Sequence, residues 1–189
     1  MPDYNAIADV GETLKERLQS GLDDAFGTGD VTVTLDSPKK IEDDAQTETK
    51  RLSVYLYRVM ENADLKNQPP YAINSGQVQP TPLTYDLYYM ITAYGIDEYN
   101  KLRIFGRAVE IMYENAILQG IDLQKQLAGS AEQIRVSSTP LTYEATSQIW
   151  QAMTASMRLS AFYMVTPVSI EPGAVPSGPR VKERGLGDI

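Results

Sequence analysis

Histidine and cysteine are both absent from this 189-residue sequence. Without cysteine there are no disulfides, no thiolate nucleophile and no Cys-based zinc ligand set. Without histidine the Ser-His-Asp and Cys-His constellations disappear, and so does the usual general base near neutral pH. Any chemistry would have to run on carboxylates, lysine, tyrosine or an all-oxygen metal site. No apolar run approaches the roughly 20 residues needed to span a bilayer. The longest candidate, Leu159 to Ile170, is interrupted by Ser160, Thr166 and Pro167. The opening Met1-Pro2-Asp3-Tyr4 has neither a basic nor an apolar signal-peptide region, so synthesis in the cytoplasm is expected. A concentrated basic stripe is lacking too, which argues against nucleic acid as a partner.

Negative charge is abundant and unevenly placed. The net charge is −8, and residues 1–50 alone hold 12 acidic and 5 basic side chains. That end reads as a solvated face or as a docking surface for a basic partner. Twelve tyrosines stand against three phenylalanines, so many rings carry a polar tip. The group Tyr55, Tyr57, Tyr85, Tyr88, Tyr89 and Tyr94 fits either core rings reaching the sheet rim or a subunit interface.

Residues 4–22 have a helical period, with Ile7, Val10, Leu14, Leu18 and Leu22 on one stripe and a turn expected from Gly21 onward. Val31 to Leu35 alternates as a strand, and residues 36–50 read as a polar, mobile loop. Arg51 to Val59 is a second strand, with Leu52, Val54 and Leu56 on one face and Ser53, Tyr55 and Tyr57 on the other. An Asn-, Gln- and Pro-rich segment follows from Glu61 to Pro82, without periodicity and of a length typical of functional or disordered loops. Leu83 to Tyr94 reads as a central strand covered on both faces. Residues 98–117 form a helix with Leu102, Phe105, Val109, Met112 and Ala116 inward. Gln133 to Ser138 is a short strand, and Thr142 caps a helix through Met153 that turns Ile149 and Trp150 inward. Met157 to Ile170 is the last strand.

This order predicts a single α+β domain over residues 1–171: a mixed β-sheet of about five strands with three helices packed on it. A flexible Pro/Gly-rich tail, residues 172–189, follows. Gly27-Thr28-Gly29 precedes a strand rather than opening a helix and reads as a turn, not a phosphate loop. Glu42, Asp43 and Asp44 lack the ligand alternation of a calcium loop and read as solvated. Asp86, in an aromatic strand, is expected to pair with Arg58 or Arg158. No catalytic, cofactor or metal residues emerge, and a small-molecule substrate is not expected.

Several stretches together carry a resemblance. They are Ile7-Ala-Asp-Val-Gly-Glu-Thr-Leu14, Arg51-Leu-Ser-Val-Tyr-Leu-Tyr-Arg-Val-Met-Glu-Asn62 and Pro82-Leu-Thr-Tyr-Asp-Leu-Tyr-Tyr-Met-Ile-Thr-Ala-Tyr-Gly95. Phe105-Gly-Arg-Ala-Val-Glu-Ile-Met-Tyr113, Leu141-Thr-Tyr-Glu-Ala-Thr-Ser-Gln-Ile-Trp150 and Met157-Arg-Leu-Ser-Ala-Phe-Tyr163 complete the set. In this order the chain resembles the N-terminal domain of the cap, or tail-terminator, proteins of extracellular contractile injection systems. The resemblance implies a non-enzymatic, homohexameric ring without cofactor, seated on the end of the inner tube and sheath. It leaves open the terminator of a true contractile phage tail and an adaptor at the baseplate end. A small enzyme using carboxylates or tyrosines is a further alternative. Partner contacts are expected from the two irregular segments, at Asn67, Gln68, Pro69, Pro70 and Tyr71 and at Arg180, Lys182 and Arg184. Strand addition to an open sheet edge is a natural way for such a protein to hold a sheath arm.

Overall fold

The structure is a computed structural model. It describes residues 3–44, 49–66, 71–74, 77–95, 97–172 and 175–176. Helix α1 spans Ala6–Phe26 and buries Ala6, Val10, Leu14, Leu18 and Leu22, a ridge with a spacing of four. It runs a turn past the stop expected near Gly21. Asp23 stays helical because its carboxylate accepts from Gln19 Nε2 at 2.8 Å and from Gly29 N–H at 3.1 Å. The end comes at Gly27 (φ +101°), and Gly29 (φ +79°) completes the expected turn.

Strand β1 is Thr32–Thr34. The expected loop after it contains a short helix, α2, Pro38–Asp43. Ser37 Oγ caps it by accepting from Lys40 N–H, proline occupies its first turn, and Ile41 is buried. Strand β2, Arg51–Glu61, leads to a hairpin of β3, Tyr71–Asn74, and β4, Gln77–Gln79, and then to β5, Leu83–Tyr94. Helix α3, Glu98–Glu114, is capped by Asp97, whose carboxylate accepts from Tyr99 and Asn100 N–H. Its buried positions are Ile104, Ala108, Ile111 and Met112. The expected stripe shares only Met112 with these, and Leu102 is half-exposed. Close approach of α1 decides the orientation: a Cβ added at Gly21 would lie 2.6 Å from Ile111 Cδ1.

After α3 come β6, Ile117–Gln119, and two 3₁₀ turns, Gly120–Asp122 and Lys125–Leu127. Strand β7 is Gln133–Ser138, as expected. Helix α4 is Tyr143–Ala152, with Thr142 Oγ1 accepting from Ala145 N–H at 3.2 Å. Strand β8 is Ser160–Ile170, and β9 is Val175–Pro176. Strand β8 starts later than expected because Glu42 holds the preceding stretch, accepting from Ser156 N–H at 3.2 Å and Arg158 Nε at 3.3 Å.

The main sheet has six strands in the order β1-β2-β5-β8-β7-β6. The β1–β2 pair is parallel and the other pairs are antiparallel, so the sheet is mixed, with β5 at its centre. One face carries Leu52, Val54, Leu87, Tyr89, Ile91, Val165 and Val168 beneath α1 and α3, the larger core. The other carries Met90 and Phe162 beneath Trp150 of α4. Four helices and a six-stranded sheet thus extend the expected α+β plan. No helix among the described residues is long and apolar enough to cross a membrane.

Candidate assembly interface

Strands β2, β5 and β8 run further than their neighbours. Strand β1 pairs only with Arg51 to Ser53 of β2, and β7 pairs only with Tyr163 to Thr166 of β8. The three long strands therefore leave the layered core as a ribbon. At its far end Glu61 pairs with Tyr85, and Leu83 pairs with Ile170. All three chain connections to the second sheet leave from there.

That second sheet has the order β3-β4-β9. Tyr71 pairs with Gln79, Val78 with Val175 and Gln77 with Pro176. The two segments expected to meet a partner are therefore joined. Part of the 61–82 stretch is a hairpin, and the beginning of the tail is its third strand. The first segment, expected to lack periodicity, contains two short strands, and Val175–Pro176 of the tail pair with the second of them. That last pairing joins residues about a hundred positions apart, which no local pattern displays. Tyr71 opens β3; Asn67, Gln68, Pro69, Pro70, Arg180, Lys182 and Arg184 lie outside the described residues.

The tyrosine group divides. Tyr89 and Tyr94 are buried, and desolvation pushes both phenols well above their usual range, Arg158 partly opposing this at Tyr94. Tyr57 is half-buried, edge-on to Phe162 at 5.6 Å and to Tyr88 at 6.3 Å. Among the tyrosines whose side chains are described, the most exposed stand elsewhere: Tyr4, Tyr99, Tyr113 and Tyr143. Sequence reading missed these, although their place on the polar side of each helical stripe was the available signal.

Asp86 pairs with neither expected arginine. Its Oδ1 accepts from Asn62 Nδ2 at 2.8 Å and from the Thr166 hydroxyl. A bulge in β2 between Leu56 and Arg58 sets Met60 opposite Asp86. Arg58 lies instead over the Tyr88 ring at 5.5 Å, and Arg158 over that of Tyr94 at 5.1 Å. Among Glu42, Asp43 and Asp44 each carboxylate has its own cation: Arg158 at 3.3 Å, Lys39 at 2.7 Å and Arg51 at 2.7 Å. Among the described residues no cluster of acidic side chains is arranged to hold a metal. Three clefts border Arg158, of 740, 290 and 220 Å³; the largest has Arg158 as its one charged side chain, and the two smaller are lined by charges already paired, Glu98 with Lys101 and Glu42 with Arg158.

A continuous three-strand ribbon thus feeds a small second sheet that joins parts of both segments expected to meet a partner. The Pvc16 N-terminal domain model matches residues 9–183, nearly the whole chain. The chain belongs to the Pvc16 N-terminal domain family. Solved structures share its fold, among them the following two. One is the PVC sheath/tube terminator of an extracellular contractile injection system, in its extended state; it has 18% identity and a TM-score of 0.67, covering 97% of this chain and 62% of that one. The other is the tube-terminating cap of the anti-feeding prophage, with 19% identity and a TM-score of 0.64, covering 94% of this chain and 59% of that one. This family member thus spans about three fifths of the solved chains it resembles. No curated protein matches it.

Proposed function

We propose that this protein is a structural cap that terminates the inner tube and sheath of a phage-tail-like contractile injection system. The observation that carries the reading is the match of the Pvc16 N-terminal domain family over residues 9–183, together with a fold shared with a sheath/tube terminator over 97% of the chain. The role is one of assembly rather than catalysis, and the paired charges in the clefts support that. Copies of the chain form a closed ring, a homohexamer, through heterologous contacts that close on themselves. The ring is built in the cytoplasm on particles that are later released or tethered. Residues Asn67, Gln68, Pro69, Pro70 and Tyr71 and residues Arg180, Lys182 and Arg184 contact the tube or sheath. The pairing of β4 with β9 supports this, because it anchors both segments on one small sheet.

Electron microscopy of particles from cells with and without the gene tests the reading. Loss of a defined density at one end, with tubes or sheaths of irregular length, is the expected result. Normally terminated particles in the deletion strain would sink it. Labelled protein at the baseplate end would replace the cap with an adaptor.

A further inference from the structure

The main sheet ends in open air at several places, and most of them carry a device that prevents pairing. On the outer side of β1, one side chain takes the place of a strand. Gln19 Nε2 donates to Val31 O at 2.9 Å, and Gln19 Oε1 accepts from Val33 N–H at 2.9 Å. Strand β6 is only three residues long. Gln119 N–H there points to Asp122 Oδ2 at 3.5 Å, and Gly120 O accepts from Gly129 N–H at 3.1 Å. Beyond β7, the outer side of β8 carries Pro167, which has no N–H to offer.

The edge of β2 beyond β1 carries a bulge between Leu56 and Arg58 and the charges of Arg58 and Glu61, but among the described residues no side chain, turn or proline occupies its backbone groups past that bulge. Asn62 N–H donates to Thr84 O at 2.8 Å, so by alternation Met60 and Arg58 turn their peptide groups toward β5. Val59 and Glu61 turn theirs outward. Among the described residues no group bonds them there. The side chains are exposed as well: Val59 is 42% and Met60 39% accessible, and Arg58 and Glu61 flank them. Among the described residues Arg58, which rests on Tyr88, has no carboxylate partner and Glu61 has no cation. An open edge with two exposed apolar side chains is what soluble proteins avoid unless something pairs with it.

We infer that the β2 edge from Leu56 to Glu61 accepts an added β-strand from another subunit of the particle. The inference rests on the cap reading for the source of that strand. The segment it takes is extended and about six residues long, roughly 20 Å. It sets an acidic side chain beside Arg58, apolar ones beside Val59 and Met60, and a basic one beside Glu61. A second copy of this chain fits poorly. Two β2 edges related by a two-fold axis at Val59 would place Arg58 against Met60, leave no acid for it, and close a dimer instead of a ring.

The test is hydrogen exchange on the full chain, free and bound to tube-and-sheath particles purified from a strain lacking it. Strand addition slows the Val59 and Glu61 amides by about tenfold or more, whereas the Met60 amide, already in the β5 ladder, changes little. V59P removes an outward donor without touching that ladder, and it is expected to lower particle retention while keeping the thermal midpoint. Bound chain whose Val59 and Glu61 amides exchange as in the free chain would overturn the edge and leave the cap reading standing. Chain that does not bind the particles at all would overturn both. A dimer of the free chain that V59P converts to monomer would assign the edge to a second copy and overturn the inference as stated.

Discussion

Gly21 and Gly106 lie on facing helices and carry opposite expectations. Glycine inside a helix is worth roughly 0.5–1 kcal/mol less than alanine, so both positions offer a gain on propensity alone. At Gly106 nothing lies within 4 Å of an added Cβ, and G106A is expected to gain nearly that full amount. At Gly21 the Cβ would meet Ile111 Cδ1 at 2.6 Å and Cγ1 at 2.8 Å. Overpacking of this kind costs about 1–3 kcal/mol and outweighs the helical gain, so G21A is expected to lose about 1 kcal/mol. Urea unfolding of the two variants checks both signs. Glu132 provides a second residue-scale test. Burial, and then the charge of Glu171, raise its pKa above the ordinary value of 4.5. Its folded form binds the proton more tightly, so the half-buried carboxylate weakens the fold at neutral pH. That penalty fades as pH falls through the raised value toward 4.5. E132Q should therefore be more stable than the parent at pH 7 and lose that advantage near pH 4, read from thermal midpoints across pH.

Among the elements, β1 depends most on a single side chain. Its three residues are held by the parallel ladder to β2 on one side and by Gln19 on the other. Q19A would leave Val31 O and Val33 N–H without their partner on a part-buried edge, a loss of about 1–2 kcal/mol. Amide exchange at Val33 should rise in this variant while exchange at Leu52, deeper in the sheet, stays slow; equal rates at Val33 would mean the edge is held by something else. The elements also divide according to what their residues announce locally. Strands β5 and β7 and the Thr142 cap were legible to the residue, because each is a run rich in β-branched or aromatic residues or a capping pattern, signals that act within a few positions. The α3 face was not, because its residues offer two overlapping apolar stripes, and only the contact of Gly21 with Ile111 chooses between them. Asp86 was misassigned for a related reason. Its opposite residue depends on a bulge after Leu56, and a bulge moves the register without changing composition. Of the proposed interface, the two segments were legible as irregular and polar. Their union in the β3-β4-β9 sheet was not, because strands of four, three and two residues carry no readable period.

For the whole molecule, the separation of the core from the ribbon and its second sheet implies that folding and assembly are separable. The larger core draws on α1, α3 and the main sheet, and its buried residues run from Ala6 to Val168, all before the tail. Strand β9 contributes two residue pairs to a sheet of its own. A chain ending at Glu171 should therefore keep a cooperative unfolding transition, with a midpoint within a few degrees of the parent. Amide protection of the main sheet should persist, whereas protection on the side of β4 that faces β9 should be lost. The same chain should bind particles more weakly if Arg180, Lys182 and Arg184 reach the partner. A shortened chain that unfolds would show that residues 172–189 belong to the folding unit. One that folds and caps particles at the parental level would remove the tail from the interface and leave the hairpin and the β2 edge to hold the partner. One that folds but no longer caps would establish that residues 1–171 carry the fold and residues 172–189 the binding.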